Sequence, residues 1–315
     1  MEIDLRDIDA ADRSLAISHP WQVDEELEES VRRFGILTPV EVRQDRGKRF
    51  QIVHGFRRLE AARRARLQHM PARLVKGDDE FLFWTALEAN RTSRGLSVLE
   101  AAAAAGILRN RFDYSEKRLT DEVLPRLGRR GDRRTLSRLL QISALDERLQ
   151  RAIHQGLEAE LALRLYKRPR QLQDLVLSRI ERYRLGRNKQ REFFELLDEL
   201  LAASGEDSAR RFWRESGLAA VEARGRTGPD RFAALLEELR RLRYPSLYRH
   251  RHSFRSLLDE LDLPSSIRLQ EPPNFEGGDL QILLSVSSPR ELSEAARRLA
   301  RAAESPAFQR ACALL

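Results

Sequence analysis

Between Asp24 and Phe34 the apolar residues Leu27, Val31 and Phe34 recur every three to four positions, which predicts a helix with one buried face and Gly35 as its stop. The period then changes. Pro39–Arg43 reads as a strand, Asp45-Arg46-Gly47 as a turn and Arg49–His54 as a second strand. Gly55 follows directly, a helix begins at Arg57-Arg58, and Ala72–Val75, after Pro71, predicts a further strand. This order suits a small α/β domain. From Glu80 to about Leu201 leucine and alanine stripes at helical spacing run between Gly128, Gly131, Gly156 and Pro169, so this stretch is expected to be helical throughout. After Ser204-Gly205 the composition shifts again, with helices near Arg231–Arg243 and Ser253–Leu261, strands at Ile267–Leu269 and Leu280–Val286, and further helices from Glu291. The expectation is an α+β chain, mostly α, in three domains: 1–90, 91–204 and 205–315.

Composition narrows the class. Charged residues make up 34% and hydrophobic ones 41% of the 315 residues, within the range of folded chains and too long for one core. Apolar stretches such as Leu99–Leu108 are too short or too interrupted to span a bilayer, and the N-terminus lacks the basic region of a signal peptide. A soluble, cytoplasmic protein without membrane contact is expected. The single cysteine, Cys312, excludes an internal disulfide and a multi-thiolate zinc site. The net charge is +8, but Arg109–Arg191 alone carries 22 Lys/Arg against 11 Asp/Glu, so the positive field belongs to the middle of the chain. A genome rich in arginine codons would scatter arginine over every solvated face and is the plain alternative.

Two segments carry candidate chemistry. In Phe50-Gln51-Ile52-Val53-His54-Gly55-Phe56-Arg57-Arg58 a glycine and two arginines sit where a strand passes into a helix. Amides at a helix start and adjacent guanidinium groups suit a phosphate, although a left-handed turn before a solvated basic helix would look the same. The second segment is Leu119–Ser143. Thr120 is expected to cap a helix carrying Val123, Leu124 and Leu127, with Gly128 as its stop; Asp132 is expected to cap a second helix with Leu136, Leu139 and Leu140 inward. Arg134, Thr135, Ser137, Arg138 and Gln141 then face outward, and Arg126–Arg138 holds six arginines and one acid. These side chains match base edges and phosphates. Pro125 should cost the first helix about 3 kcal/mol or kink it, and Gly128–Asp132 makes a long turn. A pair of core helices with a solvated basic loop is the alternative.

Residues 14–200 resemble the ParB partition-protein family. Gly55, Arg57, Arg58 and Ala62 match its phosphate-binding turn; Asn90, Leu96, Ser97 and Glu100 match its following helical segment; Leu119–Ser143 matches its helix-turn-helix. The resemblance implies a ParB/sulfiredoxin-like α/β N-terminal domain, an all-α helix-turn-helix middle domain and, unmatched, a small α+β C-terminal domain. It further implies CTP and Mg2+ as cofactors, with Gly55, Arg57, Arg58 and Asn90 at the nucleotide and Asn90 at the metal; Arg94, one helical turn beyond Asn90, is expected at the nucleotide as the cation that Ser93 does not supply. Double-stranded DNA would meet Arg129, Arg130, Arg133, Arg134, Thr135, Ser137, Arg138 and Gln141. A homodimer, a partition ATPase as partner and a place on the nucleoid follow from the same likeness.

The chain departs from the family at two positions. Phe56 and Ala89 stand where the family has acidic residues, so CTP hydrolysis is expected to be weak or absent. Glu88 cannot replace the lost metal ligand, because two positions along a helix turn it away from Asn90, whereas Arg94 shares the face of Asn90. The functional expectation is site-specific duplex binding of the partition type, with a CTP-dependent N-terminal clamp. The alternative is a CTP-independent ParB-like transcriptional regulator or nucleoid-associated accessory protein. A nuclease or phosphoryl-transfer enzyme finds no carboxylate pair or nucleophile near Gly55. His54 is expected as a half-buried strand residue, His250 and His252 as surface groups, Trp21, Trp84 and Trp213 in cores or interfaces, and Pro272–Gly278 as a loop.

Overall fold

Asp24 accepts the Leu27 amide at 2.8 Å and so starts α1 (Glu25–Phe34), which buries Val31 and ends at Gly35 with φ +71°. In this computed structural model residues 1–9, 11–44, 49–205, 208–224, 227–272 and 279–314 are described; the expected turn at 45–47 and the segment 273–278 of the expected loop lie outside them. The chain divides into two compact units, Met1–Ile180 and Glu181–Leu315.

The first unit begins with a four-stranded sheet: β1 (Glu2–Asp4), β2 (Val40–Gln44), β3 (Phe50–His54) and β4 (His69–Leu74) lie in the order β1-β4-β2-β3. β4 and β2 are parallel, and the outer pairs are antiparallel. β1 has no apolar run to announce it. It forms because Glu2–Asp4 pairs with His69–Pro71, which also starts β4 earlier than the expected Ala72. Val40, Val42, Ile52, Leu59, Ala61 and Ala62 form the core between the sheet, α1 and α2 (Phe56–Arg64). Each large aliphatic group there contributes about 1.5–3 kcal/mol by leaving water.

Helices follow. α3 (Asp79–Arg94) is capped by Asp78, and α4 (Val98–Asn110) by Ser97 and Glu100, each side chain bonding the other's amide. The alanines of α4 leave room for α7 (Arg133–Ser143) to pack closely against it. α8 (Glu147–His154) and α9 (Ala159–Tyr166) pack against each other, and α10 (Arg170–Tyr183) begins in this unit and extends past its last residue, Ile180.

The segment before α7 departs from expectation. Thr120 is not a helix cap: Ser115 is, accepting the Arg118 amide at 3.2 Å and starting α5 (Glu116–Arg118). The backbone then widens into a π turn at Leu119–Val123 and continues as α6 (Leu124–Arg126). Pro125 gives the reason, since its ring and missing N–H cannot be accommodated by α-helical bonding to residue 121, and a wider turn removes the conflict. Gly128, φ +68°, ends the helix with Arg129 N donating to Leu124 O at 2.8 Å. Asp132 caps α7 as expected, but Ile142 is the third fully buried residue of its inner face while Leu140 is only half-buried.

The second unit contains α11 (Arg187–Ser204), α12 (Ala209–Glu215), α13 (Leu218–Arg224), α14 (Gly228–Arg243), α15 (Pro245–Asp259), β5 (Ile267–Gln270), β6 (Gln281–Leu284), α16 (Pro289–Ala303) and α17 (Pro306–Cys312). α15 starts earlier than Ser253 because Pro245 is suited to a first helical position. Phe193, Trp213 and Phe232 form its aromatic core, and β5 and β6 are antiparallel partners. Among the described residues no helix is long and apolar enough to cross a membrane. The chain is mostly α with small sheets, as its pattern predicts.

Candidate functional site

β3 buries Ile52 and Val53 and delivers the chain to Gly55 at φ +107°. A Cβ at Gly55 would lie 2.7 Å from Val40 Cγ1, so both conformation and space require glycine. The turn, α2 and the face of α3 enclose a cavity of about 340 Å3. It is lined by all five expected nucleotide residues, Gly55, Arg57, Arg58, Asn90 and Arg94, together with Ser18, Thr38, His54, Phe56, Ala89, Ser93 and an apolar wall from Leu15, Ile17, Leu27, Val53, Phe83, Ala86 and Leu87.

Each cation is held in place. Arg57 Nε donates to Gln22 O at 3.0 Å and its Nη2 pairs with Asp24. Arg58 Nη1 donates to the carbonyls of Thr38 (2.6 Å) and Pro39 (2.8 Å), and its Nη2 lies 3.4 Å from His54 Nδ1. Burial lowers the pKa of Arg58, opposed by Glu41. Arg94 pairs through Nη1 and Nη2 with Glu100, which is only 2% exposed, and donates to Asn90 Oδ1 at 3.4 Å. Burial would raise the Glu100 carboxyl, but Arg94 and the Ser97 amide outweigh it and hold it below the usual range. Burial, then Arg58, depresses His54 below the ordinary histidine value, so the imidazole is neutral at pH 7.

The cavity can therefore receive an anion. Its lining holds three guanidinium groups and no carboxylate. A hard divalent cation fits poorly: Asn90 Nδ2 donates to Ala86 O, its Oδ1 faces Arg94, and Ala89 supplies no oxygen from its side chain. Among the described residues no three His, Cys, Asp or Glu side chains cluster to hold a metal. Phe56 is buried beneath Arg13, whose guanidinium lies 5.3 Å from the ring centroid.

The second candidate is the outer face of α7. Arg133, Arg134, Ser137, Arg138 and Gln141 are exposed there, opposite Leu136, Leu139 and Ile142. Arg133 pairs with Glu116 at 2.9 Å, Arg138 with Glu160 at 3.3 Å and Arg130 with Asp132 at 3.3 Å, all at the surface where water competes. Arg134 has no ion pair among the described residues. Two further expected contacts also bond within the fold: Thr135 Oγ1 donates to Asp132 at 3.1 Å, and Arg129 Nη2 donates to Leu96 O at 3.0 Å.

Sequence reasoning missed Thr38 and Ser18. No local pattern marks them; they reach the cavity because the segments on either side of α1 come to the Gly55 turn. Glu100 was legible as a match to the family's helical segment but not as the partner of Arg94, since the pair forms across the turn at Gly95.

Residues 2–91 match the family model of the ParB N-terminal domain. The probable chromosome-partitioning protein ParB of Mycobacterium leprae is 33% identical over 163 residues, 49% of this chain and 47% of that protein. Its namesake from Pseudomonas putida is 30% identical over 132 residues, 42% of this chain and 43% of that protein. The chain thus spans about half the length of these relatives. The crystal structure of the C-terminally truncated ParB from Caulobacter crescentus complexed with CTP-gamma-S is 25% identical, covers 53% of this chain and 91% of that one, and superposes with a TM-score of 0.27. The likeness to the ParB family thus rests on residues 2–91, which match its N-terminal domain, and on these partial relatives.

Proposed function

We propose that this chain is a DNA-binding protein of the chromosome-partition type. It places α7 against a duplex and takes CTP in the N-terminal cavity. The observation that carries the first part is the face of α7, where Arg133, Arg134 and Arg138 with Ser137 and Gln141 stand in water on a helix whose opposite side is buried. Such a face offers guanidinium forks to phosphates and guanine edges, and hydroxyl and amide groups to base edges. The cavity supports the second part, with three cations above a glycine turn at a helix start. Arg129, Arg130 and Thr135 at the start of α7 add to this face, Arg129 and Thr135 with one hydrogen bond each already made within the fold. Binding as a homodimer on the nucleoid, and handing over to a partition ATPase, complete this reading.

Hydrolysis has no support from Phe56, whose ring offers no oxygen to orient water. A second reading, a CTP-independent regulator, is favoured by one observation: Arg94 is already committed to Glu100. Calorimetric titration with CTP separates the two, heat of binding selecting the clamp-type protein and silence the regulator. Duplex binding is tested by the double variant Arg134→Ala, Arg138→Ala, which should lose it.

A further inference from the structure

Nucleoside triphosphates usually arrive as metal complexes, yet the wall around Asn90 is cationic. We propose that the N-terminal cavity binds its polyphosphate without a divalent metal, the Arg94 guanidinium supplying the positive charge on that side. This rests on the nucleotide reading above.

Three observations converge. Carboxylates close to lining residues are engaged by arginine: Asp24 by Arg57, Glu41 by Arg73, Glu88 by Arg91 and Glu100 by Arg94, and none of them lines the cavity. The one amide oxygen that could serve a metal, Asn90 Oδ1, accepts from Arg94 at 3.4 Å, so a cation there would have to displace a guanidinium. Finally, free donors are in place. A guanidinium has five N–H groups, and Arg57 spends two contacts on Gln22 and Asp24 while Arg58 spends three on Thr38, Pro39 and His54. Glu100 is buried and Arg94 lines the cavity, so the pair turns its positive end toward an incoming phosphate.

The full chain is titrated by calorimetry with CTP, and separately with inorganic tripolyphosphate, in EDTA and in excess Mg2+. The affinity in EDTA should equal or exceed that in Mg2+, because the metal cancels charge that the arginines would otherwise meet. Arg94→Gln should weaken binding in EDTA by about tenfold, a loss of about 1.4 kcal/mol. Should that variant unfold, Ala89→Glu serves in its place: a carboxylate on the wall should weaken binding in EDTA and make it recover with Mg2+. Binding seen only with Mg2+ overturns the metal-free proposal and leaves the nucleotide reading standing. Silence from both probes in both buffers overturns the nucleotide reading, and this inference with it.

Discussion

Arg129 donates to the carbonyl of Leu96 at 3.0 Å, which ties the turn before α7 to the junction between α3 and α4. The same guanidinium is half-buried with its Nε shielded from water and unpartnered, a cost that the Leu96 bond and the packing around it have to offset. Arg129→Ala should lower unfolding free energy by about 1–3 kcal/mol. Urea unfolding reads this; an unchanged midpoint would return Arg129 to the set of free surface cations.

Gly131 should tolerate a methyl group far less than Gly128. A Cβ at Gly131 would lie 2.6 Å from Thr120 O and 3.4 Å from Pro125 Cγ, whereas at Gly128 nothing lies within 4 Å and only its φ of +68° resists. Gly131→Ala should cost about 1–3 kcal/mol by forcing the turn off the widened helix, and Gly128→Ala about 1 kcal/mol. Paired denaturation curves give the order, and its reversal would refute the close approach.

His54 sets a pH dependence. Its folded pKa is depressed below the ordinary 6.5 by burial and then by Arg58, so the unfolded chain binds more protons as pH falls through that value. Stability is therefore fully present above 6.5 and declines on acidification until the folded pKa is passed. His19 shifts the same way by burial, so His54→Gln should flatten part of the slope and not all of it. An NMR titration placing His54 at or above 6.5 would contradict the buried, neutral imidazole.

Where local physics decides, the sequence is readable. Leu27, Val31 and Gly35 mark α1 because one face is buried and a left-handed stop follows. Gly55 marks the turn from β3 into α2 because no other residue fits against Val40. Asp132 marks α7 because a carboxylate beside free amides has one obvious use. Where partners are distant, it is not. Thr120 and Ser115 are both plausible caps, and Pro125, several residues on, decides between them by imposing the π turn. α12 and α13 escaped notice because each is seven residues long, too short for an apolar period to show, and Gly217 separates them. In the cavity, Asn90 and Arg94 are four residues apart and share a helix face, but Glu100 joins them only through the fold.

The proposed function requires α7 to lie along a duplex. Equilibrium binding of a double-stranded DNA carrying the recognised site, selected from genomic fragments by the protein itself, measures it directly as salt is varied. The wild-type chain should bind with a steep salt dependence, and Arg134→Ala with Arg138→Ala should weaken binding by more than about 100-fold and reduce the slope by about two. A folded double variant that keeps the affinity and salt slope of the wild type would contradict the assignment of this face to DNA.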